Sequence, residues 1–330
     1  MALSRVKPAS PVAVVFPGQG AQTPGMGLDF ARAYPASAGA VFETADRVLG
    51  FRLSRIVASG DHSLLAQTEI TQPALLAASL AAWSALRVEL PRLAPAAAAG
   101  LSLGEYAALV AAGSLDLVSA FRLIAWRGRF MEDAARRCPG AMCAILGLER
   151  GVVQEICAAA GAAAGGRVAI ANYNAPGQHV VTGDDASVQE AASRAAAAGG
   201  KAVPLRVSGG FHSPLMAEAR RRLAPLLAAT PWRTPTFPVY ANATARPHGD
   251  ALDIAQALEV QVTSPVLWED IVRDMWARGV RVFVECGPGK TLSSLISRTV
   301  PEAVTLNVSD LAGLARTAAA LSDFALEVVS

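Results

Sequence analysis

The sequence predicts an α/β fold, a mostly parallel sheet flanked by helices and interrupted once by a small subdomain. Three observations carry this expectation. Apolar strand-like runs pass into glycine-rich turns and then helical stretches at Val12–Phe16, before Gly100 and before Gly287, the strand–helix alternation that builds parallel sheets. Between about residues 140 and 207 the texture changes to short alternating elements. Finally, 330 residues, 52% apolar and 17% charged, are the composition of a packed globular protein with core enough for about two domains.

The first strand is Val12–Phe16, ending in the turn Pro17-Gly18-Gln19-Gly20 and followed by helical stretches to about Leu90. Alanine is a poor strand former, so the Ala-rich segment 95–99 is read as a strand from its place before Gly100-Leu101-Ser102-Leu103-Gly104, with a helical run over 105–112 behind it. A helix is predicted over 114–137, with Ser114 as N-cap and Asp116 in the first turn. Its apolar stripe is Leu117, Phe121, Ile124 and Met131; Arg127 falls at the edge of that stripe, while Arg122 and Arg129 point away.

The changed region reads as strand 141–148, helix 150–160, strands 167–173 and 179–183, helix 186–198 and strand 201–207. That order is βαββαβ, the ferredoxin-like arrangement. It makes 138–207 an inserted subdomain between two parts, 1–137 and 208–330, of one main domain. Beyond it come Gly209, Gly210 and His212, a helix from about Pro214, a strand over 237–241, and a strand over 280–285 opening into Gly287-Pro288-Gly289.

A net charge of +2 is too small for a sequence-independent nucleic-acid binder. The clusters Arg136-Arg137 and Arg220-Arg221-Arg222 read first as solvated helix faces, with docking to an acidic partner as the alternative. Arg5 and Lys7 are followed by Pro8 and Pro11, and the apolar run after them is too short for a signal-peptide core. No run reaches the length of a membrane span. The four cysteines, Cys138, Cys143, Cys157 and Cys286, form no CxxC pair, so neither a disulfide framework nor a zinc site is suggested. These features together predict a bacterial-type cytosolic protein.

Gly100-Leu101-Ser102-Leu103-Gly104 fits the G-x-S-x-G nucleophile elbow, in which a strained strand-to-helix turn pushes the serine hydroxyl into a cleft; the bland alternative is an ordinary serine in a glycine-flanked turn. A serine nucleophile needs a base, and four histidines exist. His62 lies in a polar loop, His179 begins a strand and His248 sits in a turn, whereas His212 follows two glycines on a loop leaving the sheet and is the best candidate. Acyl transfer also needs oxyanion donors: the Leu103 amide follows the nucleophile, and the Gln19 amide in the first turn is the second candidate. Arg127 matches a carboxylate bidentately, but a structural ion pair suits it equally. Gly289-Lys290-Thr291 imitates the end of a phosphate-binding loop, yet Val284 stands where that loop needs glycine.

Taken together, VVFPGQGAQTPGMG at 14–27, TQPALL at 71–76, GLSLGEYAALVAAG at 100–113, RGRFM at 127–131, NYNAPGQ at 172–178, FHSPLM at 211–216, QVTSPVLW at 261–268 and VECGPGKTL at 284–292 resemble the malonyl-CoA:acyl carrier protein transacylases. The resemblance implies an α/β-hydrolase-like main domain with a ferredoxin-like subdomain and the active cleft between them. It implies Ser102 as nucleophile, His212 as base held by the backbone carbonyl of Gln261, Gln19 and Leu103 as oxyanion donors, and Arg127 gripping the malonyl carboxylate. It further implies malonyl-CoA as substrate, an acyl carrier protein as partner and no metal or bound cofactor. Leu101 departs from the histidine that fatty-acid-synthesis members usually carry before the nucleophile; with Phe211 it is more similar to the free-standing acyltransferases serving polyketide synthases. An acyl hydrolase clearing carrier proteins is the alternative enzyme, and a non-catalytic carrier-docking module the alternative outside enzymes.

Overall fold

The computed structural model describes residues 11–326, so the expectations about Arg5, Lys7 and Pro8 lie outside the described residues. Its strands are β1 (Val12–Phe16), β2 (Ala97–Gly100), β3 (Ala141–Leu146), β4 (Val168–Ala175), β5 (Gln178–Gly183), β6 (Lys201–Pro204), β7 (Tyr240–Ala241), β8 (Arg246–Pro247), β9 (Val282–Cys286) and β10 (Val304–Val308). The main sheet runs in the order β10-β9-β1-β2, and every pairing in it is parallel.

The apolar run of β1 follows from burial on both sides. Val14 and Phe16 enter the larger core, against the long helix Thr68–Glu89, whereas Ala13 and Val15 enter a second core with Trp268, Ile271, Leu295 and Ile296. The alanines of β2 form a strand because partners impose it: β1 pairs along it, and Ala98 N–H donates to Pro238 O at 2.8 Å on the other side. The predicted strand 237–241 is shorter than expected, an isolated Ala98–Val239 bridge and then Tyr240–Ala241. Pro238 has no N–H to extend a ladder.

The second sheet, β4-β5-β3-β6, is antiparallel, and its helices Arg150–Ala164 and Asp185–Ala197 share with it a separate core around Ile145, Val153, Ile156 and Val181. It is stitched to the rest through β4, where Tyr173 N–H donates to Val266 O and Val266 N–H to Ala171 O.

Two local expectations are corrected. Gly113, at φ 73°, ends the helix Gly104–Ala111 and its turn consumes Ser114; Asp116 is the N-cap of the helix Leu117–Arg137, its carboxylate accepting from Ser119 N at 2.9 Å. His62 is not in a loop: it opens the helix His62–Ala66, capped by Asp61. The helices Ala251–Gln261, Trp268–Ala277 and Leu311–Leu326 and the strand β10 had no sequence assignment. All four cysteines are free. No helix among the described residues is long and apolar enough to cross a membrane, and no metal-ligating cluster occurs among them.

Candidate active site

Ser102 sits where β2 turns into the helix Gly104–Ala111, with left-handed backbone at φ 56°. The turn is tight enough to require both flanking glycines: a Cβ on Gly100 would lie 1.9 Å from the Gly104 carbonyl carbon, and one on Gly104 2.2 Å from Phe16 O. Asn242 holds the strained residue, accepting from Ser102 N at 2.6 Å through Oδ1 and donating to Gly100 O at 2.7 Å through Nδ2. Ser102 is therefore oriented on both sides by fixed groups rather than by its own preference.

His212 approaches from the loop after β6, also left-handed at φ 58°. Its Nε2 is 2.9 Å from Ser102 Oγ, and its Nδ1 is 2.9 Å from Gln261 O and 3.1 Å from Ser264 O. Carbonyl oxygens only accept, so Nδ1 carries the proton and the Nε2 lone pair faces the serine hydroxyl. Burial, and after it the Arg127 charge, push the His212 pKa down to about 4, against an upward pull from the two carbonyls. The imidazole is thus neutral near pH 7 and free to take a proton.

The other histidines do not reach Ser102. His62 is exposed on the surface helix and His179 is buried in β5. His248, expected in a turn as structural or solvated, has a fully buried side chain bonded to Glu105 Oε1 at 2.9 Å.

Arg127 is only 1% exposed, deeper than the stripe edge at which the sequence placed it. Nη1 donates to Gln72 Oε1 at 2.7 Å, and Nη2 to Ser102 Oγ and to Gln261 Oε1, each at 3.0 Å. Every one of these partners is uncharged, Nε–H has no hydrogen-bond partner among the described residues, and no described carboxylate forms a salt bridge with the guanidinium. The direct ion pair that was the alternative is not formed with any described carboxylate. A buried cation without a directly bonded anion, beside a serine–histidine pair, has the charge and donor geometry to pair with a small anionic group.

Gln19 lies in the turn after β1, next to the elbow: Leu101 N–H donates to Phe16 O at 3.0 Å, locking the two turns side by side. Neither the Gln19 nor the Leu103 amide donates to another described residue, whereas Gly20 N is taken by Gln22 Oε1. Both amides are thus without an acceptor among the described residues. The phosphate-loop imitation is closed, because Glu285 accepts from Leu292 N and Ser293 N at the start of the helix Thr291–Thr299 and occupies the place of an anion.

Sequence reasoning missed Gln72, Asn242 and Glu105. All three are buried polar residues. Gln72 interrupts the buried helix Thr68–Glu89, the one local signal that could have marked it. In the arginine cluster Arg220 pairs with Glu259, Arg221 with Glu218 and Arg222 with Asp133, on a partly exposed helix face.

A parallel α/β sheet with a serine on a strained strand-to-helix turn, a neutral histidine against it and backbone amides at hand is the frame of a serine-dependent acyl-transferring protein. Residues 13–328 match the acyl transferase domain family, and the chain belongs to it. It is 41% identical over 301 residues to the malonyl CoA-acyl carrier protein transacylase of Haemophilus influenzae, covering 91% of this chain and 96% of that one. The crystal structure of the malonyl-CoA:acyl carrier protein transacylase of Xanthomonas oryzae superposes with a TM-score of 0.89 at 41% identity, covering 95% of this chain and 99% of that one. A malonyl-transacylase solved in complex with its type II polyketide-synthase acyl carrier protein gives a TM-score of 0.90 at 39% identity, covering 95% and 100%.

Proposed function

We propose that this chain transfers a malonyl group from malonyl-CoA to the phosphopantetheine thiol of an acyl carrier protein. The observation that carries this reading is Arg127, buried, cationic and bonded only to neutral groups, 3.0 Å from Ser102 Oγ. Malonyl differs from acetyl by the carboxylate that such a guanidinium pairs with.

Ser102 is the nucleophile. As its Oγ attacks the thioester carbonyl, the hydroxyl proton passes to His212 Nε2, and the Gln19 and Leu103 amides receive the oxyanion. Collapse breaks the C–S bond; the proton returns from His212 to the coenzyme A sulfur, and malonyl remains on Ser102. In the second half the carrier thiol gives its proton to His212, its sulfur attacks the ester carbonyl, and Ser102 departs taking that proton. The Gln261 carbonyl stands where many serine hydrolases place a carboxylate, stabilising the Nδ1–H tautomer with a dipole rather than a charge. No step as written draws on a metal or bound cofactor.

Residues 1–137 and 208–330 form an α/β-hydrolase-like catalytic domain and 138–207 a ferredoxin-like subdomain in this reading, with polyketide or fatty acid synthesis in the cytoplasm as its setting. The hydrolase alternative loses ground, because a neutral acyl chain makes no use of the Arg127 charge. Intact-protein mass spectrometry after brief exposure to malonyl-CoA, acetyl-CoA and longer acyl-CoAs tests the proposal. A malonyl adduct that forms on the wild type and is absent from Ser102→Ala is expected; preferential labelling by a neutral acyl group would overturn it.

A further inference from the structure

One buried anion stands behind this site. Glu105, three residues after Ser102, is fully buried, and its carboxylate receives three N–H donors. Oε2 accepts from Gln261 Nε2 at 2.8 Å and from Asn242 N at 2.9 Å; Oε1 accepts from His248 Nε2 at 2.9 Å. Gln261 Nε2 also donates to Ser102 O at 3.0 Å. With its amide nitrogen committed to two acceptors, Gln261 must turn Oε1 the other way, and there it accepts from Arg127 Nη2. A flipped amide would set a carbonyl against the Glu105 carboxylate and an NH₂ group against the guanidinium, two repulsive contacts between buried groups. Through Asn242 the same carboxylate steadies the acceptor of the Ser102 amide.

We infer that Glu105, held by His248, is a positioning residue: acting through the side-chain amide of Gln261, it fixes the Arg127 fork where it selects an acyl group bearing a carboxylate. This rests on the malonyl reading above. The Gln261 backbone carbonyl that anchors His212 is a separate atom, so selectivity is the property most exposed to Glu105. Loss of one hydrogen bond to a charged group corresponds to about a ten- to hundredfold effect.

The test measures kcat and KM for Ser102 acylation by malonyl-CoA and by acetyl-CoA in the wild type and in Glu105→Gln, His248→Leu and His248→Gln, each corrected for the folded fraction. Glu105→Gln should lower the malonyl-over-acetyl ratio about ten- to a hundredfold, chiefly through KM for malonyl-CoA. His248→Leu should shift it the same way, and His248→Gln, which keeps an N–H donor for Oε1, should restore it. A merely structural role would depress both acyl groups alike. An unchanged ratio in folded Glu105→Gln overturns the inference, and if that variant does not fold, an unchanged ratio in His248→Leu does so. A wild type without malonyl preference would instead remove the malonyl reading, and this inference with it.

Discussion

Replacing Arg127 by alanine should convert a malonyl-selective site into an indifferent one. A neutral acyl group in the wild-type site leaves a cation at 1% exposure without a directly bonded anion, and an unpaired buried charge of this kind costs roughly 3 to 5 kcal/mol. The lower end applies, because Gln72, Ser102 and Gln261 already accept three of the guanidinium hydrogen bonds. About 3 kcal/mol corresponds to a preference of roughly two powers of ten for malonyl over acetyl. Arg127→Ala should lose at least that factor in kcat/KM with malonyl-CoA while acetyl labelling holds or rises. Because alanine leaves a cavity, Arg127→Met, which fills much of the volume without charge, should give the same ratio. Time-resolved intact-mass measurement at matched acyl-CoA concentrations reads both rates. A malonyl-to-acetyl ratio in Arg127→Ala and Arg127→Met equal to that of the wild type would refute the assignment of the carboxylate to Arg127.

Both Ser102→Ala and Ser102→Gly should abolish labelling, but with φ at 56° the glycine variant should be the more stable by about 1 kcal/mol, as thermal or urea melts of the pair can decide. His212→Ala should slow acylation by about 10²- to 10⁴-fold in single-turnover assays, against little change for His179→Ala. With its pKa pushed down from 6.5 to about 4, His212 is neutral in both folded and unfolded chains above pH 6.5. As pH falls towards 4 the unfolded chain takes up a proton that the folded chain refuses, so stability drops by up to about 3 kcal/mol. Melting temperatures across that range should fall more steeply for the wild type than for His212→Gln, and parallel curves would contradict the burial argument. Arg222→Glu sets a carboxylate against Asp133 and should lower stability by about 1 kcal/mol while leaving transfer to carrier protein unchanged; slowed transfer would return that helix to the docking surface.

How much was legible in the sequence can be judged element by element. The glycines around Ser102, the isolated position of His212 and the strand–helix alternation were readable because each is a local requirement: a turn that only glycine permits, a loop, a periodicity. Arg127 was readable only as an inward arginine, since whether it meets an acid depends on what other segments bring to it. The N-cap of its helix was misplaced by two residues because the preceding helix, not the cap residue, decided where the turn fell. The βαββαβ order was legible from short apolar runs, but its pairing with the rest of the chain at Val266 was not.

The sequence by itself determined the glycine-flanked turn at Ser102, the parallel character of the sheet and, by its motifs, the family. The tertiary structure alone decided the partners. It gave Arg220, Arg221 and Arg222 their acidic partners. It left Arg127 with neutral hydrogen-bond partners, and it gathered Asn242, His248 and Gln261, far along the chain from Glu105, around the buried Glu105 carboxylate. The physical reason is range. Turn geometry and side-chain periodicity act over a few residues and are written in order along the chain, whereas the desolvation and pairing of a charge depend on atoms that only the folded arrangement brings within hydrogen-bond distance.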